Sequence, residues 1–352
     1  MAPEVATLAI TDENNKTFYI PYIQTSPNLM VSANVATSAL PAGGSVKFVL
    51  NQGQANEQIQ YGITAPFSAQ FNNLPKAEYT LDVYIVDSSR NVYGAGHDKA
   101  TRIGIGDIIT AIGDSITEGY NGKMCGSTPI TNWLTVPSKC SASKDGRNFP
   151  QHGPTGGTYK QSWMTEMNDN LEATYSYPVF IMNEGVGAID SKEYLNRIQA
   201  NTKNWQTRQK ALKPNKWLIH LGVNDALANF SADKFKTNIT SIVNILNTSY
   251  GAKPQSIYMS YPMYWSGKTK KYLPVVDSLV NNEKLVSMGP DFFNYYKNNP
   301  NLAPGGHPNV AGMTQMARLW AESITKGASL PLVPISAPTS TPTSTPISTY
   351  VC

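Results

Sequence analysis

The sequence predicts an α/β fold with a mostly parallel sheet, preceded by a smaller all-β region. Three observations lead there. Up to about residue 105 apolar and polar residues alternate and no helical period is sustained. From Asp107 onward, short continuous apolar runs alternate with segments of helical period. After about Gly327 the chain is dominated by Thr, Ser and Pro. The expected division is therefore 1–105, 106–327 and 328–352.

In the first region Tyr79, Leu81, Val83 and Ile85 share one face of a strand. Ser45–Leu50 alternates likewise behind a Gly43-Gly44 turn. Short strands separated by Gly, Pro and Asn suggest a small β-sandwich. In the second region Ile108–Ile112, Val179–Met182, Trp217–Leu221 and Ser256–Met259 read as buried parallel strands. Helices lie between them. Phe235, Ile239, Ile242 and Leu246 mark one face behind a Ser231 cap, and Val310, Met313, Ala317, Trp320 and Ile324 mark another. Open sheets of this kind bind ligands beyond the carboxyl ends of their strands, so the residues directly after each strand carry the most functional weight. In the last region Thr339–Pro342 repeats at once as Thr343–Pro346, which reads as an extended tether to a further module or as a plain tail.

Composition narrows the classes. Charged residues are 15% of 352, where about 25% is usual. Coiled coils and charged disordered chains need more. Net charge is only +4 and the basic residues are scattered, which argues against a nucleic-acid partner. No run of about 18 apolar residues is present to span a membrane. The start Met1-Ala2-Pro3-Glu4 lacks the basic and apolar parts of a secretion signal. Low charge, abundant Ser, Thr and Asn, and the tail nevertheless favour a secreted or cell-surface protein from which a signal was removed. Of three cysteines, Cys125 and Cys140 close a short loop and Cys352 is left over. A Cys125–Cys140 disulfide is expected, worth roughly 3 kcal/mol, with two free thiols as the alternative. No Cys-x-x-Cys zinc spacing occurs, and no metal or other cofactor is expected.

Four short motifs follow strands or open helices. Gly113-Asp114-Ser115 places a hydroxyl at a strand-to-helix turn, where the helix N-terminus favours developing negative charge. By itself it also reads as a turn and cap. Asn183–Ala188 is a small-residue turn able to offer backbone N–H groups. Gly222-Val223-Asn224-Asp225 offers an amide donor, or an ordinary helix cap. A base must come from four histidines. His97 reads as a surface turn residue and His220 as a core residue inside a strand. His307, in Gly305-Gly306-His307-Pro308-Asn309, ranks first, and His152 in a Gly-rich loop ranks second.

In this order and placement, the four blocks make residues 107–326 resemble the SGNH hydrolase superfamily, the GDSL-type esterases and lipases. The resemblance implies a flavodoxin-like α/β/α sandwich, here preceded by the small all-β sandwich, and ester hydrolysis through an acyl-enzyme. By carry-over Ser115 is the nucleophile and His307 the base. The backbone N–H of Ser115, the Gly187/Ala188 turn and Asn224 form the oxyanion hole. Two positions depart from the family pattern. The oxyanion glycine of a Gly-x-Gly-Gly turn falls on Ala188, or on Gly187 if the register slips by one, and Ala is disfavoured where φ is positive. The carboxylate usually three residues before the histidine is replaced by Pro304. The His307 Nδ1 is then expected to bond to a backbone carbonyl near Pro304, or to Asp291.

The segment from Tyr120 to about Thr158 is long for a βα connection and is expected to wall the substrate pocket, with Trp133 and His152 in it. Tyr264 and Trp265 follow the next strand as an aromatic platform for a sugar ring or as packing residues. Without a long apolar lid helix, the expected substrate is an acetylated polysaccharide or a small ester. The alternatives are a short-chain lipid or aryl esterase, or a cell-surface binding module whose hydrolase domain has decayed.

Overall fold

The computed structural model describes residues 7–11, 17–126 and 159–325. The chain begins with β1 (Thr7–Thr11), β2 (Thr17–Pro21), β3 (Ile23–Gln24), β4 (Leu29–Ala33), β5 (Ser45–Leu50), β6 (Gln58–Gly62), β7 (Phe67–Phe71), β8 (Ala77–Val86) and β9 (Val92–Ile105). β1 and β2 form an antiparallel pair. A five-stranded sheet runs β3-β9-β8-β5-β6, and β4 pairs with β7 in a separate two-stranded sheet. The alternation read from the sequence explains what joins these two sheets. Val46, Phe48 and Leu50 of β5, Tyr79 and Leu81 of β8, and Phe67, Ala69 and Phe71 of β7 enter one shared apolar core.

The strands become parallel after Gly106. They are β10 (Asp107–Gly113), β13 (Val179–Gly185), β14 (Lys216–His220), β15 (Ile257–Tyr261) and β16 (Ser287–Asp291), ordered β13-β10-β14-β15-β16. Between β10 and β13 come α1 (Ser115–Glu118), the antiparallel pair β11 (Lys123–Gly126) with β12 (Tyr159–Gln161), and α2 (Met164–Tyr175). Then follow α3 (Ser191–Gln199), α4 (Trp205–Leu212), α5 (Val223–Leu227), α6 (Ala232–Tyr250), α7 (Leu273–Asp277), α8 (Phe292–Asn298) and α9 (Val310–Ile324). Numbered by appearance, the parallel strands run 2-1-3-4-5, the flavodoxin-like order.

β10 and β13 are buried along their whole length, as continuous apolar runs between two helical layers must be. Successive residues of β10 face opposite layers. Ile112 packs with α3, α4, α6 and α7, whereas Ile109 and Ala111 pack with α2, α8 and α9. α6 has the Ser231 cap that the sequence suggests, its hydroxyl accepting from Lys234 N at 3.1 Å. In α9 the buried face begins at Met313, because Val310 is 48% exposed at the first helical position. Among the described residues no helix is long and apolar enough to cross a membrane.

Asp107 joins the β-rich region to the parallel sheet. Its buried carboxylate accepts from Lys76 Nζ at 2.5 Å, Asn215 Nδ2 at 2.7 Å and the Tyr177 hydroxyl at 3.0 Å, and pairs with Lys216. Burial alone would raise its pKa, but the two ammonium groups and the hydrogen bonds hold it at about 2.

Candidate active site

The strand order reverses on either side of β10, the switch point at which open sheets of this kind bind ligands beyond the carboxyl ends of their strands, here β13, β10 and β14. The 185–188 turn, Ser115 and Asn224 follow these three strands in that order of space. Ser115 is the first residue of α1. Asp114 caps that helix, accepting from Ile116 N at 2.9 Å. The helix can sit this close to β13 because Gly185 has no side chain: a Cβ there would lie 2.3 Å from the Glu118 backbone nitrogen.

The Ser115 hydroxyl lies 2.8 Å from His307 Nε2, across 192 residues of sequence. Among the described residues no carboxylate bonds to the rest of the imidazole. Burial lowers the His307 pKa, and a hydrogen bond to the Gly305 backbone draws it partly back. Since Nε2 faces Ser115, the Gly305 carbonyl is the acceptor for Nδ1–H. Tyr120 packs on the ring with centroids 4.8 Å apart and planes tilted by 41°. Trp265 meets it edgewise at 6.2 Å and 84°. Asn121 Nδ2 donates to the His307 carbonyl at 3.4 Å.

Asp291 is not part of this arrangement. Its carboxylate caps α8, accepting from the backbone N and the Nδ2 of Asn294 at 2.9 and 2.7 Å, and no hydrogen bond joins it to His307. Its position at the start of a helix makes it a cap before anything else.

On the opposite side of Ser115, Ala188 adopts φ +61°, the left-handed conformation that glycine takes without strain, whereas Gly187 keeps a negative φ region. Asn224 opens α5 and donates through Nδ2 to the Ile189 carbonyl at 3.0 Å, which fixes the amide beside the turn. One Nδ2 hydrogen is engaged there and the second is available to a bound group. The turn is anchored from below by two buried carboxylates. Glu184 is gripped by Arg208, with Nε to Oε1 and Nη2 to Oε2 both 2.7 Å. Asp225 accepts from the Ser191 backbone N at 3.1 Å and from its hydroxyl, and Asn238 Nδ2 donates to that hydroxyl at 2.9 Å. Burial raises the Asp225 pKa to about 6 and that of fully buried Asp114 to about 7, the latter also through the Asp225 charge.

The aromatic pair after β15 divides. Tyr264 packs edge-on against Phe293 at 5.3 Å, as a packing residue does, while Trp265 flanks His307. The other described histidines lie elsewhere. His97 contacts Asp82 at 2.9 Å on the β-rich region, and buried His220 contacts Ser260 at 2.7 Å, its pKa lowered to about 3 by burial. Trp133, His152, Cys140 and the Cys125 side chain lie outside the described residues. The parts played by Asp225, which reads as a cap, and by Tyr120 are not legible in the sequence. The sequence signal for Tyr120 was only its place five residues after the serine.

Chemically, the cluster pairs a hydroxyl with a neutral imidazole, at a helix N-terminus, facing a side-chain amide and a backbone turn. Such a set can add an oxygen nucleophile to a carbonyl and hold the resulting oxyanion. A family model described as GDSL-like lipase/acylhydrolase matches residues 109–320. Comparison with curated protein sequences finds no match. The similar solved structures include three of low identity. A putative lipolytic protein of the G-D-S-L family from Desulfitobacterium hafniense is 17% identical, covering 62% of this chain and 99% of its own, with a TM-score of 0.42. An acetylxylan esterase from Geobacillus stearothermophilus is 19% identical, covering 62% and 94%, with a TM-score of 0.43. A carbohydrate acetylesterase from Xanthomonas citri is 11% identical, covering 90% and 74%, with a TM-score of 0.49.

Proposed function

The chain belongs to the GDSL-like lipase/acylhydrolase family, and from that premise we propose that it is a secreted serine esterase removing O-acetyl groups from a polysaccharide. The observation that carries the chemistry is the 2.8 Å contact between Ser115 Oγ and His307 Nε2. In the reaction the Ser115 oxygen attacks the ester carbonyl carbon while its proton passes to His307 Nε2. The carbonyl oxygen becomes an oxyanion, held by the N–H of Ser115, the N–H of Ala188 and the amide of Asn224. As the tetrahedral species collapses, the C–O bond to the sugar breaks and His307 returns the proton to that oxygen. Water then attacks the acetyl-serine, giving its proton to His307. As this second tetrahedral species collapses, His307 returns that proton to Ser115 Oγ and acetic acid departs.

His307 works as half of a dyad. The Gly305 carbonyl fixes its tautomer, with Nδ1 protonated and Nε2 free to accept from Ser115. That is the orienting task a carboxylate performs in a triad. The polysaccharide reading rests on architecture: a polar, weakly charged chain with a β-rich region before the catalytic part and a Thr-Pro tether after it.

The test is acetate release from acetylated xylan and hydrolysis of p-nitrophenyl acetate and octanoate. Wild type is expected to favour the acetyl esters, and Ser115→Ala to fall to background. Preference for the octanoyl ester would overturn the substrate class, and equal rates for wild type and Ser115→Ala would overturn the esterase reading.

A further inference from the structure

Proton transfer from Ser115 makes His307 an imidazolium, and a backbone carbonyl carries only a partial charge to set against it. The groups packed around the ring show what else is there. α1 brings Ser115 itself to the ring, while its neighbours there turn elsewhere, Asp114 to Ile116 N and the Glu118 Oε2 to Gly187, 2.8 Å from where a Cβ would stand. From the segment after α1 come Asn121 and the phenol of Tyr120, and from the loop after β15 comes Trp265. Among the described residues no carboxylate hydrogen-bonds or pairs with His307. Tyr120, centred 4.8 Å away, lies within the roughly 6 Å at which an aromatic face attracts a cation. Trp265 is wedged behind the ring. Gly306, at φ +84°, leaves its Cβ position to the indole, and a Cβ there would lie 1.5 Å from Trp265 Cζ3.

On the dyad reading of the site, we infer that Tyr120 and Trp265 together replace the carboxylate lost at Pro304. Tyr120 is a positioning residue whose π-face stabilises the imidazolium, and Trp265 braces the ring so that Nε2 stays aimed at Ser115. An aromatic clamp suits this task because it stabilises the charged ring without placing a second buried charge beside it. It also holds the His307 pKa less far down than burial alone would.

Tyr120 is 44% exposed, so its replacement leaves the core intact. The experiment is an NMR titration of the His307 ring in wild type, Tyr120→Phe and Tyr120→Leu, with kcat for p-nitrophenyl acetate measured alongside. Four histidines make the spectrum tractable, and His307→Gln assigns the signal. Tyr120→Phe, which keeps the face, is expected to match wild type. Tyr120→Leu is expected to lower the His307 pKa and reduce kcat about 5- to 30-fold at unchanged KM. A purely space-filling tyrosine predicts the opposite sign, since opening the site to water raises the pKa toward 6.5. An unchanged or raised pKa in Tyr120→Leu overturns the clamp. The titration needs no ester, so it stands even if wild type and Ser115→Ala hydrolyse p-nitrophenyl acetate equally, a result that would instead remove the esterase reading.

Discussion

Ala188 bears a local cost that its role makes intelligible. A non-glycine residue at φ +61° costs roughly 1–2 kcal/mol against an unstrained one. The backbone N–H donates from alanine as well as from glycine, so the position needs the conformation more than the side chain. Ala188→Gly is expected to raise Tm by about 2–4 °C with kcat retained, and a fall in Tm on thermal melting would contradict the strain. Asn224→Ala removes the side-chain donor proposed for the oxyanion and should cost about 10²–10³ in kcat with little change in KM. The base sets the pH dependence. As the proposed base His307 acts neutral, and burial holds its pKa below the ordinary 6.5. The kcat/KM for an ester should therefore be flat above pH 6.5 and fall as pH drops through the lower value. An acid limb lying above pH 6.5 would contradict this.

The elements around the site are fixed by groups that take no part in the chemistry. Asp225 ties the start of α3 to α5 through Ser191, and so sets the spacing between the Ala188 turn and Asn224. Asp225→Ala leaves the buried Ser191 N–H without an acceptor, which costs about 1–3 kcal/mol. Denaturant melts should show that loss together with a lower kcat. Undiminished kcat would mean that the turn holds its shape without the tie. The same scale shows what could be read from the sequence. β10, β13, β14 and β15 announced themselves as apolar runs, and α6 and α9 by their period. β16, Ser-Met-Gly-Pro-Asp, did not: Gly and Pro disfavour a strand, and only pairing with β15 makes it one. The Ser115–His307 pair was legible from motif order. The clamp was not, because Tyr120 and Trp265 meet only through the fold.

At the scale of the whole molecule, Asp107 is where the β-rich region and the parallel sheet hold each other. Its folded pKa of about 2 lies below the unfolded value near 3.8, so its stabilisation is complete above that value and is lost as pH falls toward 2. Removing the carboxylate leaves Lys216 partly buried without its partner. Asp107→Ala should destabilise the protein by about 3–5 kcal/mol and flatten the stability profile between about pH 4 and pH 2. An unchanged acid profile in urea melts would show that the contact is not a working link. The sequence placed the change of rhythm near this residue. It could not show that Lys76, 31 positions earlier, turns back to meet it.

The proposed hydrolysis requires Ser115 to be a nucleophile activated by His307. Labelling with a fluorophosphonate, followed by peptide mass spectrometry, tests this directly, because the reagent bonds only to an activated hydroxyl. The prediction is one adduct per chain, on Ser115, formed at least 100-fold more slowly (on the order of a lost general base) in His307→Ala. An unlabelled Ser115, or labelling unaffected by loss of His307, would contradict it.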